Sequence, residues 1–113
     1  NKVLYINEKG ESELVSLEFE FDRPEDSKAI VFKNFASCTV IERNKVLYTG
    51  GGPSNEVFLL EFKSKKKAHV TCLPKMNFKR CWHGTIYVRP YVYVIGTNFL
   101  KMNKYLIELN RRI

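Results

Sequence analysis

The stretch "NKVLYTGGGPSNEVFLLEF", residues 44–62, places Gly50, Gly51 and Gly52 between two apolar runs. Glycine inside a strand packs no side chain and loses more backbone entropy than any other residue, so three in a row need a local reason. The flanking runs are short, rich in Val, Leu, Tyr and Phe, and bounded by Asn, Gly, Pro and Ser, which is strand chemistry. The triplet is expected to end one strand where neighbouring groups crowd it, and to supply the positive φ angles of a tight exit.

Outward from this stretch the chain repeats itself. "NKVLY" stands at residues 1–5 and again, unchanged, at 44–48, an offset of 43. A third version, "YVYVIGT" at 91–97, aligns Gly96 with Gly50. Each copy is followed by a polar loop and a second apolar segment, at residues 12–21, 54–62 and 103–110. A period near 40–50 residues implies repeated supersecondary units. The segments read as strands: in "ELVSLEFEF", Val15, Leu17, Phe19 and Phe21 alternate with Ser16, Glu18 and Glu20, a period of two. No window sustains helical periodicity over three turns. The fullest copy holds four strand candidates, at 35–42, 45–49, 56–62 and 68–72. Their short links suit antiparallel hairpins, and a four-stranded antiparallel sheet at this period is the sequence form of a propeller blade.

The chain has 113 residues, 44% hydrophobic and 27% charged, the composition of one small globular domain. The longest clean apolar run, 57–60, is far below the roughly 18 residues of a membrane span, and the N-terminus carries no signal-peptide pattern. Net charge is +7, yet eight of the twelve acidic residues fall within the first 26 and the densest basic run is "KSKKK" at 63–67. Such a run is either a solvated turn or a contact for nucleic acid or an acidic protein. Cys38, Cys72 and Cys81 are odd in number and lack paired spacing, so no disulfide framework or metal site is expected and a reducing, cytoplasmic setting fits.

The block "LPKMNFKRCWHGTIYVRPYVYVIGTN", residues 73–98, resembles the kelch repeat. Leu73, Pro74, Met76, Arg80, His83 and Gly84 follow that pattern in order, as do residues 93–96, and "VLYTGGG" supplies the glycine doublet at Gly50 and Gly51. The doublet is reduced to Gly96-Thr97 in the last copy and to Asn7-Glu8 in the first, Val70 replaces a tryptophan, and Asn34 and Ser37 stand where Arg80 and His83 align. The resemblance implies an all-β fold of antiparallel four-stranded blades. Residues 1–113 would then be a partial kelch-type β-propeller: 1–32 the end of one blade, 33–74 a complete blade, 75–113 an incomplete one. Two and a half blades leave open faces, so the expectation is a fragment of a larger propeller, with a ring of several short chains as the alternative.

The same resemblance makes Gly50, Gly51, Met76, Arg80, His83 and Gly96 structural motif residues. Binding is expected on the loops after the second and fourth strands, at Ser54, Asn55, Lys75, Phe78, Lys79, Asn98, Phe99 and Lys101. Their hydroxyl, amide, cationic and aromatic groups suit an acidic or aromatic peptide segment. The alternative is that these are ordinary polar loops. No catalytic residue, metal or cofactor is assigned, because no nucleophile, phosphate-loop or zincin motif occurs. The implied function is a non-catalytic interaction scaffold on kelch repeats, in a cytoskeletal or ciliary assembly or as a ubiquitin-ligase substrate adaptor. A basic nucleic-acid-binding module is the second reading.

Overall fold

The computed structural model describes residues 2–23, 25, 33–52 and 54–96, and the strand Lys104–Glu108. Ten strands follow in chain order: β1 (Lys2–Ile6), β2 (Ser12–Ser16), β3 (Glu18–Phe21), β4 (Ser37–Glu42), β5 (Lys45–Thr49), β6 (Val57–Ser64), β7 (Lys67–Leu73), β8 (Gly84–Val88), β9 (Tyr91–Ile95) and β10 (Lys104–Glu108). The four segments read between residues 35 and 72 fall on β4 to β7, an antiparallel meander closed by two-residue turns at 43–44 and 65–66.

The kelch resemblance and the propeller it implied are nevertheless wrong. The described strands form three open sheets, not four-stranded blades: β1-β2, β3-β7-β6-β5-β4 and β10-β9-β8. Two features break the repeat. First, β3 leaves its own copy and joins the next one, running parallel to β7 with Phe19 opposite Ala68 and Phe21 opposite Val70. Phe19 and Phe21 thereby pack on Tyr48, Phe58, Leu60 and Val70 of the middle sheet. Glu20 meets Lys67 at 3.2 Å and Asp22 meets His69 at 2.6 Å. One alternating run thus serves two sheets.

Second, the hairpin β1-β2 presents the wrong face for a repeat. Leu47 is fully buried, between the middle sheet and the three-stranded one, with Leu59, Val92 and Val94. Its counterpart in the identical pentapeptide, Leu4, is 62% exposed, and Leu14 opposite it is 64% exposed. The hairpin turns Val3 and Val15 inward instead, and Val15 is buried. Because successive side chains alternate between faces, the hairpin packs by its Val face alone, whereas β5 buries Leu47 on one face and Tyr48 on the other.

The middle sheet consequently has two unlike sides. One packs Ile41, Leu47, Val57, Leu59 and Leu73 against Met76, Val92 and Val94 in a continuous core. The other carries Tyr48, Phe58, Leu60 and Val70, flanked by partly buried Val46, Phe62 and Cys72. The two copies of "NKVLY" offer a direct test by urea unfolding. Leu47→Ala should lower stability by about 2–5 kcal/mol. Leu4→Ala should change it by less than ~0.5 kcal/mol. Equal losses would mean that the hairpin is oriented as the repeat demands.

Candidate functional site

The first two glycines of the triplet are crowded by different neighbours. Gly50, at φ +64°, leaves no space for a Cβ, which would collide with the Arg80 carbonyl oxygen and lie 2.7 Å from His83 Cε1. Gly51, at φ +90°, would set a Cβ 2.8 Å from the Ala36 methyl. The approach is tight because the Gly51 N–H donates to the Arg80 carbonyl at 2.8 Å, while the Arg80 N–H donates to the Ser54 carbonyl at 2.8 Å. The β5–β6 loop and the β7–β8 connection are therefore stitched together through residue 80.

The side chain of Arg80 continues the junction. It is fully buried and donates from Nη1 to the Gly96 carbonyl at 2.6 Å, at the end of β9. The exposed ring of Phe78 lies 6.0 Å from the guanidinium carbon. His83, also buried, places Nε2 at 2.7 Å from Thr49 Oγ1. The hydroxyls of Thr49 and Thr85 are 3.4 Å apart, and Thr85 donates to Ser37 Oγ at 2.7 Å. Burial, with the Arg80 charge second, pushes the His83 pKa below its usual 6.5. The six motif residues Gly50, Gly51, Met76, Arg80, His83 and Gly96 thus converge on one buried junction between two open sheets, without a propeller around it.

The partner-binding residues expected from the loops divide. Ser54 is buried and its hydroxyl accepts from the Glu56 N–H at 3.1 Å. Asn55 clamps Met76, its carbonyl accepting the Met76 N–H at 2.8 Å and its Nδ2 donating to the Met76 carbonyl at 3.3 Å. Lys75, Phe78 and Lys79 are exposed on the β7–β8 connection. Asn98, Phe99 and Lys101 lie outside the described residues.

What the loop reading missed is an aromatic pair beside them. Phe35 and Trp82 meet edge to face, ring centroids 4.8 Å apart at 87°, and are 57% and 66% exposed. Both hold positive φ angles, 66° and 55°, a conformation bulky L-residues rarely adopt. The Trp82 N–H donates to the Phe35 carbonyl at 2.9 Å and locks the arrangement. Strain of about 1–3 kcal/mol per such residue is typical of sites where geometry serves recognition.

Three of the four lysines of the "KSKKK" run have carboxylate partners within the chain. Lys63 pairs with Glu61 at 2.8 Å, Lys65 with Glu13 at 2.8 Å and Lys67 with Glu20 at 3.2 Å. The hydrogen bond from Lys65 holds the Glu13 carboxyl below its usual range, and Glu13 in turn raises Lys65. Two of these carboxylates, Glu13 and Glu20, belong to the acidic first segment, and Lys66 is exposed. Comparisons with protein-family models, with curated proteins and with solved structures find no match. Among the described residues no three His, Cys, Asp or Glu side chains are grouped to hold a metal, and no helix is long and apolar enough to cross a membrane.

Two outcomes follow from the junction. Gly10, at φ +81°, has open space where a Cβ would stand, with nothing within 4 Å, so it shares the backbone conformation of Gly50 without its crowding. Gly10→Ala should cost about 1 kcal/mol of unfolding free energy, and Gly50→Ala at least twice that. For His83, the unfolded chain binds a proton near pH 6.5 while the folded one resists it. Its contribution to stability is complete above that pH and declines as pH falls below it. His83→Gln should flatten the decline in a series of urea midpoints taken from pH 7.5 to 5.

Proposed function

We propose that the protein is a binding module that holds an acidic, aromatic-containing segment of a partner protein on its loop end, across the Phe35–Trp82 pair. The kelch scaffold role, with its cytoskeletal, ciliary and ubiquitin-ligase settings, falls with the propeller. The binding reading stands instead on the aromatic pair itself: two large rings fixed outside the core by strained backbone. Exposed Trp and Phe held rigid are the residues that anchor interfaces, because little rotamer freedom remains to be lost on binding.

The surrounding charge selects the partner. Lys75 and Lys79 flank Phe78 on the same exposed connection, and Arg80 lies beneath the Phe78 ring. Carboxylates approaching these cations would steer an acidic chain onto the rings. The mechanism is binding without chemistry, and no cofactor enters it.

Trp82 is the single tryptophan of the sequence, so its fluorescence reports this site alone. A titration with a glutamate-rich peptide carrying one tyrosine should shift the emission to shorter wavelength as the indole leaves water. Lys79→Glu should weaken the interaction at least tenfold, about 1.4 kcal/mol. Trp82→Ala, followed by calorimetry, should do the same without changing the unfolding midpoint. Unchanged emission, or an equal response to a lysine-rich peptide, would overturn the proposal.

A further inference from the structure

Among the described residues, the hairpin β1-β2, two strands wide, covers only part of the five-stranded sheet beneath it. A groove of about 480 Å³ runs there, with Val40, Val46 and Phe62 as its apolar floor. Its other wall is Val3, Leu4 and Tyr5, three consecutive residues of β1. Side chains alternate along a strand, so three in a row line a groove only where it follows the edge of the strand. β1 pairs with β2 alone among the described strands, leaving that edge without a strand partner. A smaller apolar recess of about 270 Å³ adjoins it, sharing Val3, Val46 and Phe62.

The charges at the groove are asymmetric. Lys65 is taken up by Glu13 at 2.8 Å and lies 5.2 Å from the Tyr5 ring centroid. Lys45 is near Glu42 at 3.5 Å. Arg43 lines the groove, is exposed, and has no carboxylate within ion-pair distance among the described residues. A bare backbone edge, an apolar floor and one cation together describe a seat for an extended chain.

We propose that an acidic, apolar-alternating segment of a partner protein adds to β1 as a third strand of the hairpin sheet. Its apolar side chains enter the groove over Val40, Val46 and Phe62, and a carboxylate meets Arg43. A second copy of this chain is a poorer occupant. Its own β1, "KVLYI", brings Lys2 and no carboxylate to Arg43, and two chains of net charge +7 repel. This site is separate from the Phe35–Trp82 pair and does not depend on it.

The probe is a nine-residue peptide alternating valine with glutamate, with a proline at each end against self-association, and its valine–lysine counterpart as control. The acidic peptide should slow amide exchange in β1 at least tenfold while Trp82 emission stays unchanged. Arg43→Glu and Val40→Asp, both at exposed positions, should each weaken binding at least tenfold and leave the unfolding midpoint in place. Several results would overturn the assignment. They are no binding at about 1 mM, binding without protection of β1, equal binding of the lysine peptide, or indifference to Arg43→Glu. Concentration-dependent dimerisation that protects β1 without peptide would assign the edge to a second copy instead.

Discussion

The buried guanidinium of Arg80 sets the rest of the structure. Removing a cation from water costs several kcal/mol unless hydrogen bonds replace its hydration. Here the Gly96 carbonyl takes one donor at 2.6 Å, and the backbone of the same residue is fixed on both sides, by Gly51 and Ser54. One residue therefore ties the β5–β6 loop, the β7–β8 connection and the end of β9. The glycine at position 50 is a consequence: the Arg80 carbonyl occupies the space where a Cβ there would sit. The exposed aromatic pair is another, since Trp82 lies two residues beyond the anchored position and its N–H is held by Phe35.

The same anchoring divides the middle sheet into a closed and an open side. Seating β8-β9 at the Arg80 junction covers Leu47 and Leu59 with Val92 and Val94, and that side is a dry core. Among the described residues, the opposite side is covered by the two-stranded hairpin, and Phe19 and Phe21 of the edge strand β3 pack there. Two-stranded ribbons are marginal by themselves, so the hairpin is held by what it packs on: Val15 and Leu17 are buried, and Lys65 reaches Glu13. Incomplete cover is the cause of the groove beside β1.

Much of this was legible in the residues, and the failures share a cause. The strands between 35 and 72 were readable because alternation and turn chemistry are local. The crowding at the end of β5 was readable from the glycines alone, but not that Arg80 and His83 cause it. The sheet arrangement was not. "KVLY" carries Val and Tyr on one face and Leu on the other, so both faces are apolar and the pattern does not say which turns inward. The second copy buries both faces, with Leu47 in one core and Tyr48 in the other, whereas the first leaves Leu4 exposed. The transfer of β3 to β7 depends on long-range pairs, Glu20 with Lys67 and Asp22 with His69, that no periodicity encodes. At the site, Ser54 and Asn55 looked available for a partner, yet backbone groups consume them. Phe35 and Trp82 were missed because a positive φ is written in glycine or asparagine, not in aromatic side chains.

Charge placement connects the two proposed surfaces. The carboxylates of the first segment lie against the turn at 63–67 and the neighbouring β7, where Glu13, Glu20 and Asp22 face Lys65, Lys67 and His69. Those contacts pair Lys65 and Lys67 of the strongest basic run, and further exposed cations stand away from it. Lys75 and Lys79 are exposed on the connection that also carries Phe78, and Arg43 lines the apolar groove. Both surfaces thus combine exposed apolar groups with cations outside that turn. An acidic partner satisfies each by the same physics: its carboxylates complement the cations while its apolar groups cover the rings or the groove floor.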